Sequence, residues 1–166
     1  MDKIEIDGVE FTSRVLTKNL ERIERVFPYV LTIVDSLENA ARSSESIAAT
    51  LVLETVGDLA LESSLDHVAH HISKQHGLEK MSNMGPGQLD WPIGQQRELF
   101  SLLGHVNDSI GVTLTEGLMM VPRKSISGII FPTEETFISC QLCKRNKCPS
   151  RKAPFDKALS DEYAYD

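Results

Sequence analysis

The sequence predicts an α+β fold, and three observations point to it. Strand-type patterns lie towards both ends of the chain, helical patterns occupy its middle, and the two kinds of element do not alternate as they do in a doubly wound sheet. The chain has 166 residues, of which 41% are hydrophobic and 25% charged. A chain of this length and composition can bury the core of one domain.

The first third of the chain predicts a hairpin, a helix and a buried strand. In residues 3–11, apolar residues alternate with charged ones around an Asp7-Gly8 turn, which is typical of a hairpin. Apolar residues at helical spacing predict a helix over residues 16–26. The almost wholly apolar run over residues 29–34 predicts a buried strand.

Two helices are predicted next. Asp35 followed by Glu38 has the form of a capping box and predicts a short helix that pauses near residue 42. Two apolar stripes over residues 44–75 predict a long helix that packs on more than one side. Gly57 lies in its middle, where glycine costs about 1 kcal/mol relative to alanine. A close neighbour or a ligand is therefore expected to need the space at Gly57.

The second half of the chain predicts a loop, a helix and short strands. Residues 81–92 are rich in Gly, Pro and Asn and predict a loop, in which Asp90 is expected to cap the helix that follows. Short strands are predicted over residues 110–114, 118–121 and 126–131. A last strand or helix is expected after residue 135, before the cysteine-containing segment.

The charge of the chain is unevenly distributed. It has 17 basic and 24 acidic residues, a net charge of −7, yet six basic residues and one acidic residue lie between Lys144 and Lys157. An acidic body disfavours general nucleic-acid binding, which needs a basic surface. We expect the basic stretch to be a solvated tail, with contact to an acidic partner as the alternative.

Other function classes are disfavoured by missing signals. No apolar stretch could cross a bilayer, and the N-terminus lacks a secretory signal, so we expect a cytoplasmic protein that does not bind membranes. The sequence has no Ser-His-Asp pattern, no phosphate-binding loop and no dinucleotide fingerprint, so it offers no self-contained catalytic constellation.

The three cysteines lie close together, as Cys140-x-x-Cys143-x4-Cys148. This spacing is typical of a zinc or iron–sulfur site rather than of a disulfide framework, although such sites usually have four ligands. A histidine, an exogenous ligand or a second subunit could complete the site, and a redox-active pair or incidental thiols remain alternatives. The candidate histidines are His67, His70, His71, His76 and His105.

Two stretches carry a family resemblance. Residues 84–92, MGPGQLDWP, and residues 110–128, IGVTLTEGLMMVPRKSISG, resemble in order and spacing the activation (reactivation) domain of cobalamin-dependent methionine synthase. The resemblance is closer to the short stand-alone relatives of that domain, and it covers roughly residues 30–132. It implies a C-shaped domain with a twisted antiparallel sheet flanked by helices. We therefore expect such a domain over residues 1–135 and a Cys-containing basic tail over residues 136–166.

The resemblance also implies a function. In the family, a shallow groove holds S-adenosylmethionine, which remethylates a partner's cobalamin after its cobalt has reached the inactive Co(II) state and an electron has been supplied to reduce it. We therefore expect an accessory protein of cobalamin-dependent methyl transfer that docks on a corrinoid protein or a methionine synthase-like methyltransferase, with a homodimer left open. The alternative is a metal-binding or redox module that uses the cysteines, with the groove vestigial.

The resemblance places the cofactor-binding residues. Carried over onto this chain, it implies a binding loop, acidic side chains that offset the sulfonium or accept from the ammonium group, and a second backbone wall. The implied cofactor-binding residues are Asp58, Glu62, Asn83, Gly85, Pro86, Gly87, Gln88, Glu116, Ser125, Ser127 and Gly128.

The chain departs from the family pattern in the binding loop. The family's loop typically reads Arg-x-x-Pro-Gly-Tyr, and here Asn83 and Gln88 stand at the Arg and Tyr places. Asparagine cannot replace the cationic fork that arginine offers a carboxylate, and glutamine cannot replace an aromatic ring. These two differences predict weakened binding of S-adenosylmethionine.

Overall fold

The computed structural model describes residues 2–134 and 137–164. Its helices and antiparallel strands confirm the α+β class. The helices are α1 (Arg14–Leu20), α2 (Ser36–Arg42), α3 (Ile47–His76), α4 (Gln96–Leu103), α5 (Val106–Ile110) and α6 (Lys157–Glu162). The strands are β1 (Lys3–Ile6), β2 (Val9–Thr12), β3 (Phe27–Thr32), β4 (Met81–Met84), β5 (Thr113–Leu114), β6 (Met120–Val121) and β7 (Ser125–Pro132). Short 3-10 turns lie at Ile93–Gln95 and Ser139–Gln141.

A three-stranded sheet forms the centre of the fold, with β7 between β3 and β4 and antiparallel to both. β7 is the longest strand, and its last residues are almost wholly buried because it is paired on both edges. The chain runs from β3 to β4 through α2 and α3, so the long helix α3 connects the two edge strands. β1 with β2 and β5 with β6 form two small hairpins.

Several predicted elements are confirmed. The hairpin turns at Asp7-Gly8, and α2, α3, β3 and β7 lie within a few residues of their predicted bounds. The burial expected of two of them is wrong: β3 is an edge strand in which only Tyr29 is buried, and α3 buries only Gly57 and Leu61 instead of packing on more than one side. The helix predicted over residues 16–26 is α1, but it ends at Leu20. The chain must then become extended, because Pro28 lies in β3 and disfavours helical backbone in the residue before it.

Two local predictions are wrong. Residues 81–84, predicted as part of a loop, form β4, because pairing with β7 overrides the weak strand propensity of Ser82 and Asn83. The strand predicted over residues 110–114 is shorter than expected: Ile110 is the last residue of the short helix α5, Gly111 ends that helix with a φ of 70°, and only Thr113–Leu114 is paired as β5.

The basic side chains between Lys144 and Lys157 are exposed apart from Arg151, as expected, but residues on both sides of this stretch pack on the rest of the fold. Phe137 and Leu142 are buried in the same core cluster as the hairpin, α1, β7 and α4. The Phe137 and Tyr163 rings stack with centroids 5.6 Å apart, and the Tyr163 hydroxyl donates a hydrogen bond to Asn19 of α1 at 3.1 Å. The division into two domains at residue 135 stays a prediction. Within the described ranges, every helix is too short or too polar to span a bilayer.

Candidate functional site

A groove of about 850 Å³ lies over the central sheet. Its floor is formed by residues of β3, β4 and β7, and α3 forms one side. The loop after β4, the turn that leads into β6 and the first part of the cysteine-containing segment form the remaining walls. This groove brings together elements that are far apart along the chain, and it is about twice as large as two other cavities of the described residues, which measure about 410 and 380 Å³.

The groove contains most of the residues that the resemblance implies. Seven of the eleven line it, namely Asp58, Glu62, Asn83, Gly85, Pro86, Gln88 and Ser127. The other four do not. Gly87 is exposed on the loop, and Glu116 is exposed in the turn between β5 and β6, where its carbonyl accepts from Arg97. Ser125 is buried and donates to the carbonyl of Pro122 at 2.7 Å, and Gly128 lies beneath the loop.

Two glycines let the binding loop pack directly on β7. A Cβ atom at Gly85 would lie 2.5 Å from the carbonyl oxygen of Ser127. A Cβ atom at Gly128 would lie 2.6 Å from the carbonyl oxygen of Met84 and 2.9 Å from the Tyr29 hydroxyl. Neither backbone atom can move away cheaply, so only glycine allows this close approach. The loop and the strand thus form one continuous backbone surface at the groove.

The two positions that depart from the family pattern have different surroundings. Asn83 lies in β4, opposite Ile130 of β7, and lines the groove. Gln88 Oε1 accepts hydrogen bonds from the Gly85 amide at 3.4 Å and from the Ser139 hydroxyl at 3.1 Å. Gln88 therefore connects the binding loop to the cysteine-containing segment.

Three acidic side chains of α3, those of Glu54, Asp58 and Glu62, are already paired with lysines. Lys124 Nζ lies 2.5 Å from Asp58 Oδ1 and 2.9 Å from Glu54 Oε2, and Lys152 forms an ion pair with Glu62. A sulfonium group placed near Asp58 or Glu62 would therefore compete with an existing ammonium group. The role expected of these two carboxylates, offsetting a ligand's positive charge, is only partly available to them.

Gly57 provides the space for this ion pairing. A Cβ atom there would lie 3.3 Å from Cε of Lys124 and 3.4 Å from Cδ1 of Ile33. Burial opposes the charge of Lys124, but hydrogen bonds to Asp58 and Glu54 outweigh it and raise the pKa of the ammonium group. The close neighbour expected at Gly57 is therefore the aliphatic part of a lysine side chain that crosses the helix.

Glu38 has a different role from the one predicted. It does not complete a capping box, since Asp35 makes no side-chain capping bond to α2. Glu38 is buried and accepts from Arg123 Nε at 2.9 Å and from the Arg123 backbone N–H at 3.1 Å. Hydrogen bonding from Arg123 lowers the pKa of Glu38 although burial opposes it. This pair holds the turn before β7 against α2.

The groove floor also has a buried amide that sequence reasoning missed. Gln96, the first residue of α4, is 3% exposed and lines the groove. Its Nε2 donates to Ser127 Oγ at 3.2 Å, and its Oε1 has no hydrogen-bond partner among the described residues. The sequence shows only a polar residue in a helical turn, and nothing in that pattern predicts its burial.

The cysteines do not converge on one point. Cys140 lines the groove, Cys143 lines a separate cavity beside Arg151, and all three thiols are free. Nowhere in residues 2–134 and 137–164 do three or more His, Cys, Asp or Glu side chains form a group that could hold a metal ion. As folded here, Cys140, Cys143 and Cys148 therefore do not fit a zinc or cluster site, and metal binding by them stays a prediction.

The groove does not fit the amino-acid end of S-adenosylmethionine. Asn83 occupies the place of the family's arginine and offers no cation to a carboxylate, and Gln88 occupies the place of the tyrosine and offers no aromatic ring. The two cations that line the groove, Arg123 and Lys152, form ion pairs with glutamates. A carboxylate bound by either cation would have to displace these pairs, and weakened binding of S-adenosylmethionine stays a prediction.

Comparison with known proteins finds a family model that matches part of the chain. Residues 86–150 match the family model of the activation domain of vitamin B12 dependent methionine synthase. The match includes much of the binding loop, β5 to β7 and all three cysteines, so it extends beyond the predicted boundary at residue 135. No curated protein matches the chain significantly. Over residues 86–150 the chain is therefore similar to this activation domain.

Proposed function

We propose that this relative of the methionine synthase activation domain is an accessory protein of cobalamin-dependent methyl transfer, which docks on a corrinoid-bearing partner and holds a ligand in its groove. The observation that carries the proposal is that seven of the residues implied by the resemblance line one groove. Three of them, Pro86, Gln88 and Ser127, lie within the matched region, and Gly85 lies one residue before it.

The rim of the groove supports docking. Met119 and Ile93 line the groove, yet their side chains are 56% and 49% exposed. Val121, in the same hairpin as Met119, is also exposed. Exposed apolar side chains that cluster at the mouth of a cavity are typical of a surface that a partner covers. A corrin ring presented by a partner would offer a large, mostly uncharged face to this rim.

A binding measurement tests the proposal. The corrinoid-bearing domain of a cobalamin-dependent methionine synthase is immobilised, and association of the chain is followed by surface plasmon resonance. We expect saturable binding that Met119→Glu weakens about tenfold or more, because a rim anchor contributes over 1 kcal/mol. Leu51→Glu is the matched control, since Leu51 is also an exposed apolar residue, at 67%, but lies on α3 outside the groove lining. Equal loss in both variants, or no binding, would contradict the proposal.

A second candidate function uses the cysteines. The Cys143 amide donates to the Cys140 carbonyl at 3.3 Å, which closes the turn of the Cys-x-x-Cys motif. Arg151 donates to the carbonyls of both residues at 3.1 Å and so holds this turn in place. A metal or redox module would keep such a turn. Metal analysis of protein purified without oxygen tests this candidate, and metal-free wild type that behaves like Cys143→Ser would eliminate it.

A further inference from the structure

Five large apolar residues of α3 are exposed to solvent. They are Ile47, Leu51, Val52, Val56 and Leu59, and between 45% and 88% of each residue is exposed. With 3.6 residues per turn, their positions fall within one half of the helix circumference. They form a continuous surface that we call the exposed face of α3. A soluble protein rarely leaves so many large apolar residues together in water unless another molecule covers them.

The exposed face of α3 contains no charged side chain. Residues 47–59 include only two charged residues, Glu54 and Asp58, and both form ion pairs with Lys124 from the turn before β7. The same helix contacts α2, β3 and β7 through its remaining sides. The exposed face therefore presents apolar side chains without a charge among them, as the centre of a protein–protein interface does.

The order of the residues along this face fits a two-fold arrangement. Two identical surfaces that meet around a two-fold axis must be complementary to themselves. Leu51 and Leu59 lie four residues before and four residues after Thr55, which is itself exposed. When two such helices cross in antiparallel orientation at Thr55, Leu51 of each copy meets Leu59 of the other copy. Threonine is small enough at the crossing point to let the two helices approach closely.

The size of the exposed face is sufficient for a dimer. Its five residues expose roughly 600 Å² in each chain, so a symmetric pair would bury roughly 1,200 Å², the lower end of the range for stable protein complexes. We expect a contact of this size without charged pairs to have a dissociation constant of about 1–100 µM.

We propose that the exposed face of α3 is a self-association surface, on which a second copy of this chain packs in antiparallel orientation with Leu51 of each copy against Leu59 of the other. This inference goes beyond the proposed function, because the five residues of the face are not among those that line the groove. A monomeric variant is therefore expected to keep, per subunit, its affinity for the corrinoid-bearing domain.

Sedimentation equilibrium of the full chain between about 5 and 500 µM tests the proposal. The wild-type mass is expected to rise with concentration from 18.5 kDa towards twice that value. Leu51→Lys and Leu59→Glu are each expected to weaken the dimer at least tenfold, because each places an unpaired charge against a leucine. Ile110→Glu is the control and is expected to leave the dimer unchanged, since Ile110 is 40% exposed but lies at the end of α5.

A mixture of the two charged variants tests the antiparallel orientation. In that orientation, the lysine introduced at position 51 of one copy faces the glutamate introduced at position 59 of the other, and the second contact keeps its two leucines. An equimolar mixture of Leu51→Lys and Leu59→Glu is therefore expected to dimerise at least tenfold more tightly than either variant alone. In a parallel dimer, position 51 would face position 51, and no charge pair would form.

Three results would overturn the inference. One is a wild-type mass that stays at 18.5 kDa up to about 500 µM, which would leave the face to a different protein. The others are single variants that dimerise like wild type, and a mixture that dimerises no more tightly than its components. If either variant fails to fold, the reciprocal pair Leu51→Glu and Leu59→Lys is used with the same criteria. None of these results contradicts the proposed function, which is judged by binding to the corrinoid-bearing domain.

Discussion

At the scale of single residues, Asn83 and Gln88 are the positions at which the chain can share the fold of the family without sharing its ligand. Both lie at the groove, but neither supplies the charge or the ring found at the corresponding places of the family loop. Gln88 has acquired another contact, the hydrogen bond from Ser139. Replacing Asn83 and Gln88 with the family's arginine and tyrosine therefore tests binding of S-adenosylmethionine directly. Replacing Gln88 also removes its hydrogen bond from Ser139, which connects the loop to the cysteine-containing segment.

We predict that Asn83→Arg combined with Gln88→Tyr increases affinity for S-adenosylmethionine about 30- to 1000-fold, because a bidentate charged contact and an aromatic contact together contribute about 2–4 kcal/mol. Calorimetry on wild type, both single variants and the double variant checks this. The gain is expected mostly in the double variant, since the two side chains hold opposite parts of one ligand. Micromolar binding by wild type would show that the departure matters little.

A second prediction concerns Gly85, whose Cβ would meet the Ser127 carbonyl at 2.5 Å. We expect Gly85→Ala to lower the free energy of unfolding by about 1–3 kcal/mol, as overpacking against backbone does. Gly94→Ala is the control, because a Cβ at Gly94 meets nothing within 4 Å. Urea denaturation measures both, and equal stability of the two variants would mean that the loop does not pack on β7 as described.

Sequence patterns predicted some of these residues and missed others for physical reasons. Gly57 was recognisable because glycine inside a helix is unfavourable unless space is needed, and Lys124 occupies that space. Gln96 was not recognisable, because burial of a polar residue depends on tertiary packing. The ion pairs of Asp58 and Glu62 could not be predicted either, since Lys124 and Lys152 are distant in sequence.

At the scale of secondary-structure elements, Asp90 caps a helix other than the one predicted. Its carboxylate accepts from Ser13 Oγ at 2.5 Å and from the Arg14 amide at 2.7 Å, so it stabilises the start of α1 rather than of α4. The prediction that Asp90 caps the helix after the loop is wrong, because its carboxylate supplements the Ser13 cap of a helix about 75 residues away in the chain. Local patterns cannot identify such a partner.

We predict that Asp90→Ala lowers the free energy of unfolding by about 1–2 kcal/mol, the usual value of a lost N-terminal cap. Asp35→Ala is the control, since Asp35 precedes α2 without making a side-chain capping bond, and we expect a change within about 0.5 kcal/mol. Thermal and urea unfolding check both values. A larger effect at Asp35 than at Asp90 would contradict the capping assignment.

The contact of α2 with the turn before β7 predicts a dependence of stability on pH. Hydrogen bonds from Arg123 lower the pKa of Glu38 in the folded protein. A lowered carboxyl pKa contributes stability above the unfolded value of about 4.3, and this contribution is lost as the pH falls through the folded pKa. Glu38→Gln is therefore expected to be less stable than wild type at pH 7.

The difference between wild type and Glu38→Gln is expected to shrink as the pH falls below about 4. Urea denaturation of both proteins between pH 3 and pH 7 measures it, with Glu45→Gln as the control because Glu45 is exposed at the turn before α3. A difference that does not vary with pH would mean that the ion pair with Arg123 contributes nothing to folding.

Some of the secondary-structure elements were predictable from the sequence and others were not. The hairpin, α3 and β7 were predicted from the apolar residues of their sequences. β4 lacks such a pattern and exists because it pairs with β7, while α6 begins where the Asp156 side chain accepts from the Leu159 amide. Aspartate is a residue type that often caps helices, so Asp156 was visible in the sequence as a capping residue. The helix that follows it is short, however, and spans only Lys157–Glu162.

At the scale of the whole molecule, the cysteine-containing segment contributes to both the core and the groove. Phe137 and Leu142 are buried with α1 and β7, and Cys140 lines the groove beside the loop. Composition predicted a basic tail here, because the basic residues between the apolar ones dominate the pattern. The buried positions became visible only when the hairpin, α1 and the sheet were assembled around them.

The central claim is that this groove covers the corrin of a partner protein, and the corrin chromophore itself reports on it. The chain is titrated into the corrinoid-bearing domain of a cobalamin-dependent methionine synthase in its Co(II) form, and the absorbance spectrum is recorded with wild type and Met119→Glu. We predict a saturable spectral change with wild type and a curve displaced about tenfold to higher concentration with the variant. An unchanged spectrum up to about 100 µM, where weak complexes with such dissociation constants would form, would contradict the account.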